Sequence, residues 1–174
     1  NLEKSFYSLL WISILLSMML ATEDIFLEDF SDGSLEQTII SNASFPLLIA
    51  KKIFIYWLMI GIPISFLSFL FSLSLTQDFN LSLSIFPLSV VSSYIFLNLF
   101  VFGNALSLNK GSVLGAIITM PLALPVLIIL GKSVIAIEFG INYVEFLLLL
   151  LGILSIIITI VPFIISYVIK AHLE

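Results

Sequence analysis

Long apolar stretches alternate with short polar breaks along this chain of 174 residues. Five stretches are candidates for membrane spans: Phe6–Ala21, Ile53–Leu75, Leu81–Phe102, Ser112–Leu130 and Val144–Val168. About 20 apolar residues cross the ~30 Å hydrocarbon layer of a bilayer, so the first stretch is marginal and the other four are sufficient. The pattern predicts an all-α protein, a polytopic transmembrane helical bundle that forms a single domain over residues 1–174. Runs such as Phe146–Leu151 do not alternate, which argues against transmembrane β-strands.

An acidic island, residues Glu23–Gln37, separates the first two stretches and holds six of the eleven acidic side chains. Each carboxylate at the middle of a bilayer would cost about 2.5–3.5 kcal/mol on insertion scales. The island must therefore lie in water. We predict that residues 23–45 form a cytoplasmic segment between two spans.

Within the island, the first span is expected to continue as helix past Thr22. Ser31-Asp32-Gly33 is a turn signal. Ser34 and Gln37 then have the spacing of a capping box, in which the Ser34 hydroxyl accepts from the Gln37 N–H and the Gln37 side chain reaches back. Glu36 in the first turn suits the positive end of the helix.

The short helix that begins at Ser34 should lie along the membrane surface with Leu35, Ile39 and Ile40 on one face. The next helix is expected to begin at Pro46, since proline fits a first helical turn. Lys51 and Lys52 would then lie at headgroup level. Two interpretations stay open at this point: a solvated helical hairpin, or a docking helix for a cytosolic partner.

Glycine and proline predict irregular positions inside the spans. Gly61 with Pro63 should bend the second span, and Pro121 with Pro125 should break or kink the fourth. Membrane helices tolerate proline where neighbouring helices or water satisfy the freed carbonyls.

Gly111 and Gly115 form a GxxxG motif at the start of the fourth span, a spacing that permits close helix packing. No Asp, Glu, Lys, Arg or His lies deep in any predicted span. Ion-coupled transporters usually carry such a residue. The sequence therefore argues against secondary transport.

The side chains that most catalytic and metal sites need are scarce. There is no cysteine, and the one histidine, His172, lies beside Lys170 near the C-terminus. No HExxH, GxSxG or phosphate-binding glycine loop occurs. We predict no catalytic, cofactor-binding or metal-binding residue, and a protein that is not an enzyme.

Lysine placement sets the predicted orientation, because basic residues favour the cytoplasmic side. With the acidic island inside, four lysines lie inside and two outside; these are Lys51, Lys52, Lys110 and Lys170 against Lys4 and Lys132. The N-terminus of this chain is then outside and its C-terminus is cytoplasmic. A chain that starts outside suggests that one preceding span is missing.

The run Asp32–Gln37 resembles CcmB, the heme exporter protein B family of cytochrome c maturation. The resemblance continues at Ala50-Lys51, Trp57, Gly61, Pro63, Lys110-Gly111, Pro121, Pro125 and Pro162-Phe163, and so covers nearly the whole chain. It implies an ABC-2-like permease subunit with six spans, the first of them ahead of Asn1. The membrane would be the bacterial inner membrane, or the mitochondrial one for an organelle-encoded chain.

The resemblance also implies partners: a CcmA-like ATPase, CcmC-like and CcmD-like membrane proteins, a CcmE-like heme chaperone and the lipid bilayer, but no nucleic acid. ATP would bind the ATPase, and heme would be cargo rather than a bound cofactor. Residues predicted to couple to the ATPase are Glu28, Asp29, Asp32, Gly33, Ser34, Leu35, Glu36 and Gln37. Two alternatives stay open: an assembly scaffold that transports nothing, and an ABC-2 permease for lipid or polysaccharide.

Overall fold

The computed structural model describes residues 2–40, 44–108 and 112–173, and in these residues all regular structure is helical. The α-helices are α1 Leu2–Ala21, α2 Leu27–Ser31, α3 Ser34–Ile40, α4 Phe45–Tyr56, α5 Ile62–Thr76, α6 Phe79–Leu106, α7 Ser112–Glu138 and α8 Val144–Leu173. A π-helical segment, Trp57–Gly61, joins α4 to α5. The predicted all-α class is confirmed.

Four helices of the described chain are long and apolar enough to cross a membrane. They are Phe45–Thr76, Phe79–Leu106, Leu114–Glu138 and Val144–His172, with 32, 28, 25 and 29 residues. Ser5–Ala21 is apolar but shorter, in agreement with its marginal length in the sequence. Helices α7 and α8 continue past the predicted ends of their spans at Leu130 and Val168, so His172 lies on helix. The protein is a multi-pass membrane protein.

Helix α6 forms the centre of the bundle. In its most apolar stretch 67% of the residues are buried, against 22% to 28% in the other three long helices. Helices α1, α5, α7 and α8 pack around it, and α4 packs on α8. The side chains of Ile85, Phe96 and Phe100 are fully enclosed, whereas Leu148 and Phe163 on α8 are more than 60% exposed, at 61% and 64%. Large apolar side chains on the outer surface suit a lipid environment.

The first span ends at Ala21 as predicted, but its expected helical extension past Thr22 is absent. Helix α1 stops at Ala21, and residues 22–26 form a turn in place of the expected helical extension. The Thr22 hydroxyl donates to the Met18 carbonyl at 3.0 Å, and the Ile25 N–H donates to the Thr22 carbonyl at 3.2 Å. Ile25 and Phe26 are each 2% exposed, so the chain turns inward to bury them.

The prolines of two spans lie inside or beside helix. Helix α7 runs through Pro121 and Pro125 without a break, so of the predicted break or kink the break is wrong and the kink stays a prediction. At Gly61 and Pro63, where a bend was predicted, the structure has the π-helical segment just before the proline. π-Helical turns inside α-helices are a known cause of kinks and often lie at functional positions.

Candidate functional site

The acidic island folds into two short helices, α2 and α3, joined by a tight turn. Gly33 lies in that turn with φ +76°, a left-handed conformation that glycine adopts without strain. The turn predicted at Ser31-Asp32-Gly33 is therefore confirmed. Of the predicted apolar face, Leu35 is buried and Ile39 packs on the core, but Ile40 is 79% exposed.

The start of α3 is held by Asp32. Its carboxylate accepts from the Ser34 N–H at 2.9 Å, and the Gln37 N–H donates to the Gly33 carbonyl at 3.2 Å. The Ser34 hydroxyl donates to the Asp29 carbonyl at 3.3 Å. The predicted capping box of Ser34 and Gln37 is therefore wrong, because a carboxylate two residues earlier accepts the first helical N–H.

These contacts lower the pKa of the Asp32 carboxyl, chiefly because the Ser34 N–H donates to its charged form and secondly through the Ser34 hydroxyl. The stabilisation of α3 by this contact is thus present above the ordinary pKa of 3.8 and is lost as the pH falls through the lowered value. At neutral pH the Asp32 carboxyl is therefore ionised and accepts the hydrogen bond from the Ser34 N–H.

An ion pair joins the island to the next span. The Lys52 ammonium on α4 contacts the Asp29 carboxylate on α2. It also lies 5.5 Å from the centre of the Phe26 ring, within the range of a cation–π contact. Helix α4 begins at Phe45 with Pro46 in its first turn, as predicted, which brings Lys52 to the level of the island. Loop, short helix and span are therefore linked by side chains.

A polar cleft of about 210 Å³ opens beside this ion pair. Asp24, Asp29, Lys52 and Tyr56 line it together with the end of α1. Asp24 is exposed, and Asp29 and Lys52 are 36% and 28% exposed. The cleft presents more carboxylate than ammonium to the surroundings, so its chemistry suits a basic group.

The predicted coupling residues divide into two sets. Asp32, Glu36 and Gln37 are exposed and form the outer edge of the island. Leu35 is 5% exposed and anchors α3 on the bundle. Glu28 belongs to α2, but its side chain lies outside the described residues. The structure brings these residues onto one short hairpin; their role in coupling stays a prediction.

A contact that sequence reasoning missed joins the island to the central helix. The Asn104 Nδ2 donates to the Thr22 carbonyl at 2.6 Å, across 82 residues of sequence. Asn104 is 9% exposed on α6, and Thr22 is fully buried. An asparagine near the end of an apolar span was the available signal, since such an amide needs a partner.

A second missed contact involves the π-helical segment. The Trp57 Nε1 donates to the Ser93 hydroxyl at 3.1 Å, and the indole stacks on Tyr94 with ring centres 4.8 Å apart. A Cβ on Gly61 would lie 2.7 Å from Trp57 Nε1. Gly61 therefore makes the room in which the indole reaches α6.

One glycine of the predicted GxxxG motif lies in a close contact between two spans. Gly111 lies outside the described residues, and Gly115 on α7 packs on Gly103 of α6. A Cβ on Gly103 would lie 2.5 Å from the Gly115 carbonyl oxygen. The close helix packing predicted at Gly115 is thus present, and its partner is Gly103 on α6.

The ring of His172 lies in the last turn of α8, where its Nδ1 is 2.8 Å from the Val168 carbonyl oxygen. Within the described residues, His, Asp and Glu do not gather in groups of three or more that could hold a metal ion.

Known proteins resemble the chain over nearly its whole length. The sequence model of the CcmB protein family matches residues 2–172. Heme exporter protein B of Haemophilus influenzae is 30% identical over 166 residues, which are 94% of this chain and 75% of that protein. Heme exporter protein B of Pseudomonas aeruginosa is 32% identical over 161 residues, 91% of this chain and 72% of that protein. The chain therefore belongs to the CcmB protein family.

Proposed function

We propose that this chain is the membrane permease subunit of an ABC-type complex in cytochrome c maturation. Hydrolysis of ATP on a partner ATPase would drive heme export or the release of a heme-loaded chaperone. The relatives carry the name heme exporter protein B, which supports heme as the cargo of the complex. The multi-pass helical bundle supports a membrane role.

The observation that carries the proposal is the tie between the acidic island and the spans. The Lys52–Asp29 pair and the buried Leu35 hold the hairpin against the bundle. A partner that pushes on such a hairpin moves the spans with it, whereas a free loop would absorb the displacement in its own conformational entropy. A coupling segment needs this mechanical property.

The negative charge of the acidic island favours a partner whose docking surface is basic. Asp32 and Glu36 are exposed on the outer edge of the hairpin, and no basic residue occurs between Glu23 and Gln37. Acidic patches favour association with basic ones and raise the encounter rate. We infer that a CcmA-like ATPase presents a basic groove to α3. CcmC-like and CcmD-like proteins and a CcmE-like chaperone would bind elsewhere on the complex.

Charge reversal of Glu36 tests the docking. Glu36→Lys should lower co-purification of the ATPase several-fold and lower the cytochrome c yield. Glu145→Lys is the matched control: it makes the same charge change at an exposed position in the first turn of α8, at the other end of the bundle. Wild-type ATPase capture and cytochrome yield in Glu36→Lys and in Asp32→Ala would contradict the proposal and leave the island as a solvated hairpin.

Heme is the proposed cargo, so axial ligation of its iron by the chain is not expected. His172 is the sole imidazole in the sequence and lies at the island end of α8. His172→Ala should leave the yield of mature cytochrome c unchanged at equal protein level. A clear loss of cytochrome c with normal protein in the membrane would show that the imidazole takes part.

A further inference from the structure

The turn that opens the acidic island is bonded to the central helix by the Asn104 side chain. The Asn104 Nδ2 donates to the Thr22 carbonyl at 2.6 Å, and the Ile25 N–H donates to the same carbonyl at 3.2 Å. One acceptor thus holds both the turn itself and α6. Thr22 is fully buried, so water does not compete for this hydrogen bond.

Three spans meet at this point. The residue before Asn104 is Gly103, whose backbone packs on Gly115 of α7. Asn104 also lines a cleft of about 370 Å³ together with Met19 on α1, Glu23 in the turn and Ile117 on α7. A displacement of the turn at Thr22 therefore reaches α6 through one side chain and α7 through a backbone contact.

We propose that Asn104 is a positioning residue that transmits the movement of the acidic island to helix α6. The proposal rests on the proposed function, because it assumes that a partner moves the island. The Lys52–Asp29 pair links the island to α4 on one side, and Asn104 links it to the most buried helix of the bundle on the other. Losing the second link should leave docking intact and weaken the response of the spans.

The chain offers a matched control on the same helix. Asn98 is 1% exposed, and its Nδ2 donates to the Tyr94 carbonyl of its own helix at 2.8 Å. Asn98→Leu and Asn104→Leu therefore remove the same buried amide from α6. Only the Asn104 change removes a bond that leaves the helix for the island turn. Asn104→Asp adds a nearly isosteric variant that replaces the donor with an oxygen.

The test uses the full chain in nanodiscs and in cells that depend on it for cytochrome c maturation. Hydrogen exchange of the amides of residues 22–27 should become about three- to tenfold faster in both Asn104 variants, the factor of one lost hydrogen bond. ATPase co-purification should stay at the wild-type level, while the cytochrome c yield falls several-fold. Asn98→Leu should match the wild type in all three measurements.

The outcomes separate the two proposals. Faster exchange with a normal cytochrome yield in either Asn104 variant overturns the transmission role and leaves a purely structural tie. An equal loss of yield in Asn98→Leu also overturns it, because any buried amide would then suffice. If the wild-type chain captures no ATPase, the proposed function itself fails and the transmission role with it.

Discussion

Gly61 shows how a single missing side chain sets a contact between spans. A Cβ at this position would lie 2.7 Å from Trp57 Nε1 and 3.2 Å from the Ser93 hydroxyl. Gly61→Ala should therefore push the indole off Ser93 and cost about 1–3 kcal/mol of stability, the usual range for overpacking. The measurements are the thermal unfolding temperature and the Trp57 emission maximum in a Trp11→Phe background.

Gly152→Ala on α8 is the control for this change, since a Cβ there meets nothing within 4 Å. It should leave both measurements unchanged. Equal unfolding temperatures and emission maxima for the two variants would contradict the packing account of Gly61.

Loss of the Asp29–Lys52 ion pair should have a small effect on overall stability and a local effect on helices α2 and α3. Both side chains are about one third exposed, at 36% and 28%, and exposed pairs contribute about 0–1 kcal/mol. Lys52→Ala should thus leave the bundle folded but speed hydrogen exchange in α2 and α3. Lys51→Ala removes a neighbouring exposed lysine and should not. Equal exchange in the two variants would show that the pair does not hold the island.

At single residues, the sequence predicted the structure correctly where the cause lies within a few residues along the chain. Gly33 supplies a left-handed turn and Pro46 a first helical turn, and each signal lies within a few residues of its effect. The cap of α3 was assigned to Ser34 because its spacing to Gln37 fits a motif, but the Asp32 carboxylate is the stronger acceptor. Asn104 was not predictable as a tie, since its partner lies 82 residues away.

At the scale of elements, the backbones of α6 and α7 approach each other closely at Gly103 and Gly115. A Cβ on Gly103 would lie 2.5 Å from the Gly115 carbonyl oxygen, and backbone cannot move aside as a side-chain tip can. Gly103→Ala and Gly115→Ala should therefore lower the thermal unfolding temperature more than Gly61→Ala does. Gly131→Ala on the same helix α7 meets nothing within 4 Å and is the control. A smaller loss in Gly103→Ala than in Gly131→Ala would contradict this packing.

The helices themselves followed from the sequence because a span needs about 20 consecutive apolar residues, a strong signal. Their irregularities followed only in part, since Gly61 and Pro63 marked the irregular position in the second span but not its π-helical form. Helix α1 ends at Ala21, where the chain turns and buries Ile25 and Phe26 in the bundle. Helix propensity and hydropathy are local properties and do not predict such tertiary packing. Pro121 and Pro125 lie inside a continuous α7, whereas the disturbance near Pro63 takes the form of a π-helical segment.

For the whole molecule, the alternation of helices puts the acidic island and the end of α8 at one end of the bundle. The connection between α5 and α6 lies at the other, where the Asp78 carboxylate caps α6 by accepting from the Asn80 N–H at 2.9 Å. Lys51, Lys52 and Lys170 all lie at the island end. Basic residues favour the cytoplasmic side, so the lysine pattern predicts that the island lies in the cytoplasm.

Cysteine labelling tests this orientation directly, because residues 1–174 contain no cysteine that would react with the label. Asp32→Cys, Asp78→Cys and His172→Cys place one thiol each on the island, on the opposite connection and on the last turn of α8. In intact cells an impermeant maleimide should label the Asp78 position, while the Asp32 and His172 positions become labelled only after permeabilisation. Labelling of the Asp32 position without that of Asp78 would invert the topology, and a docking site for a cytosolic ATPase on the acidic island would then be impossible.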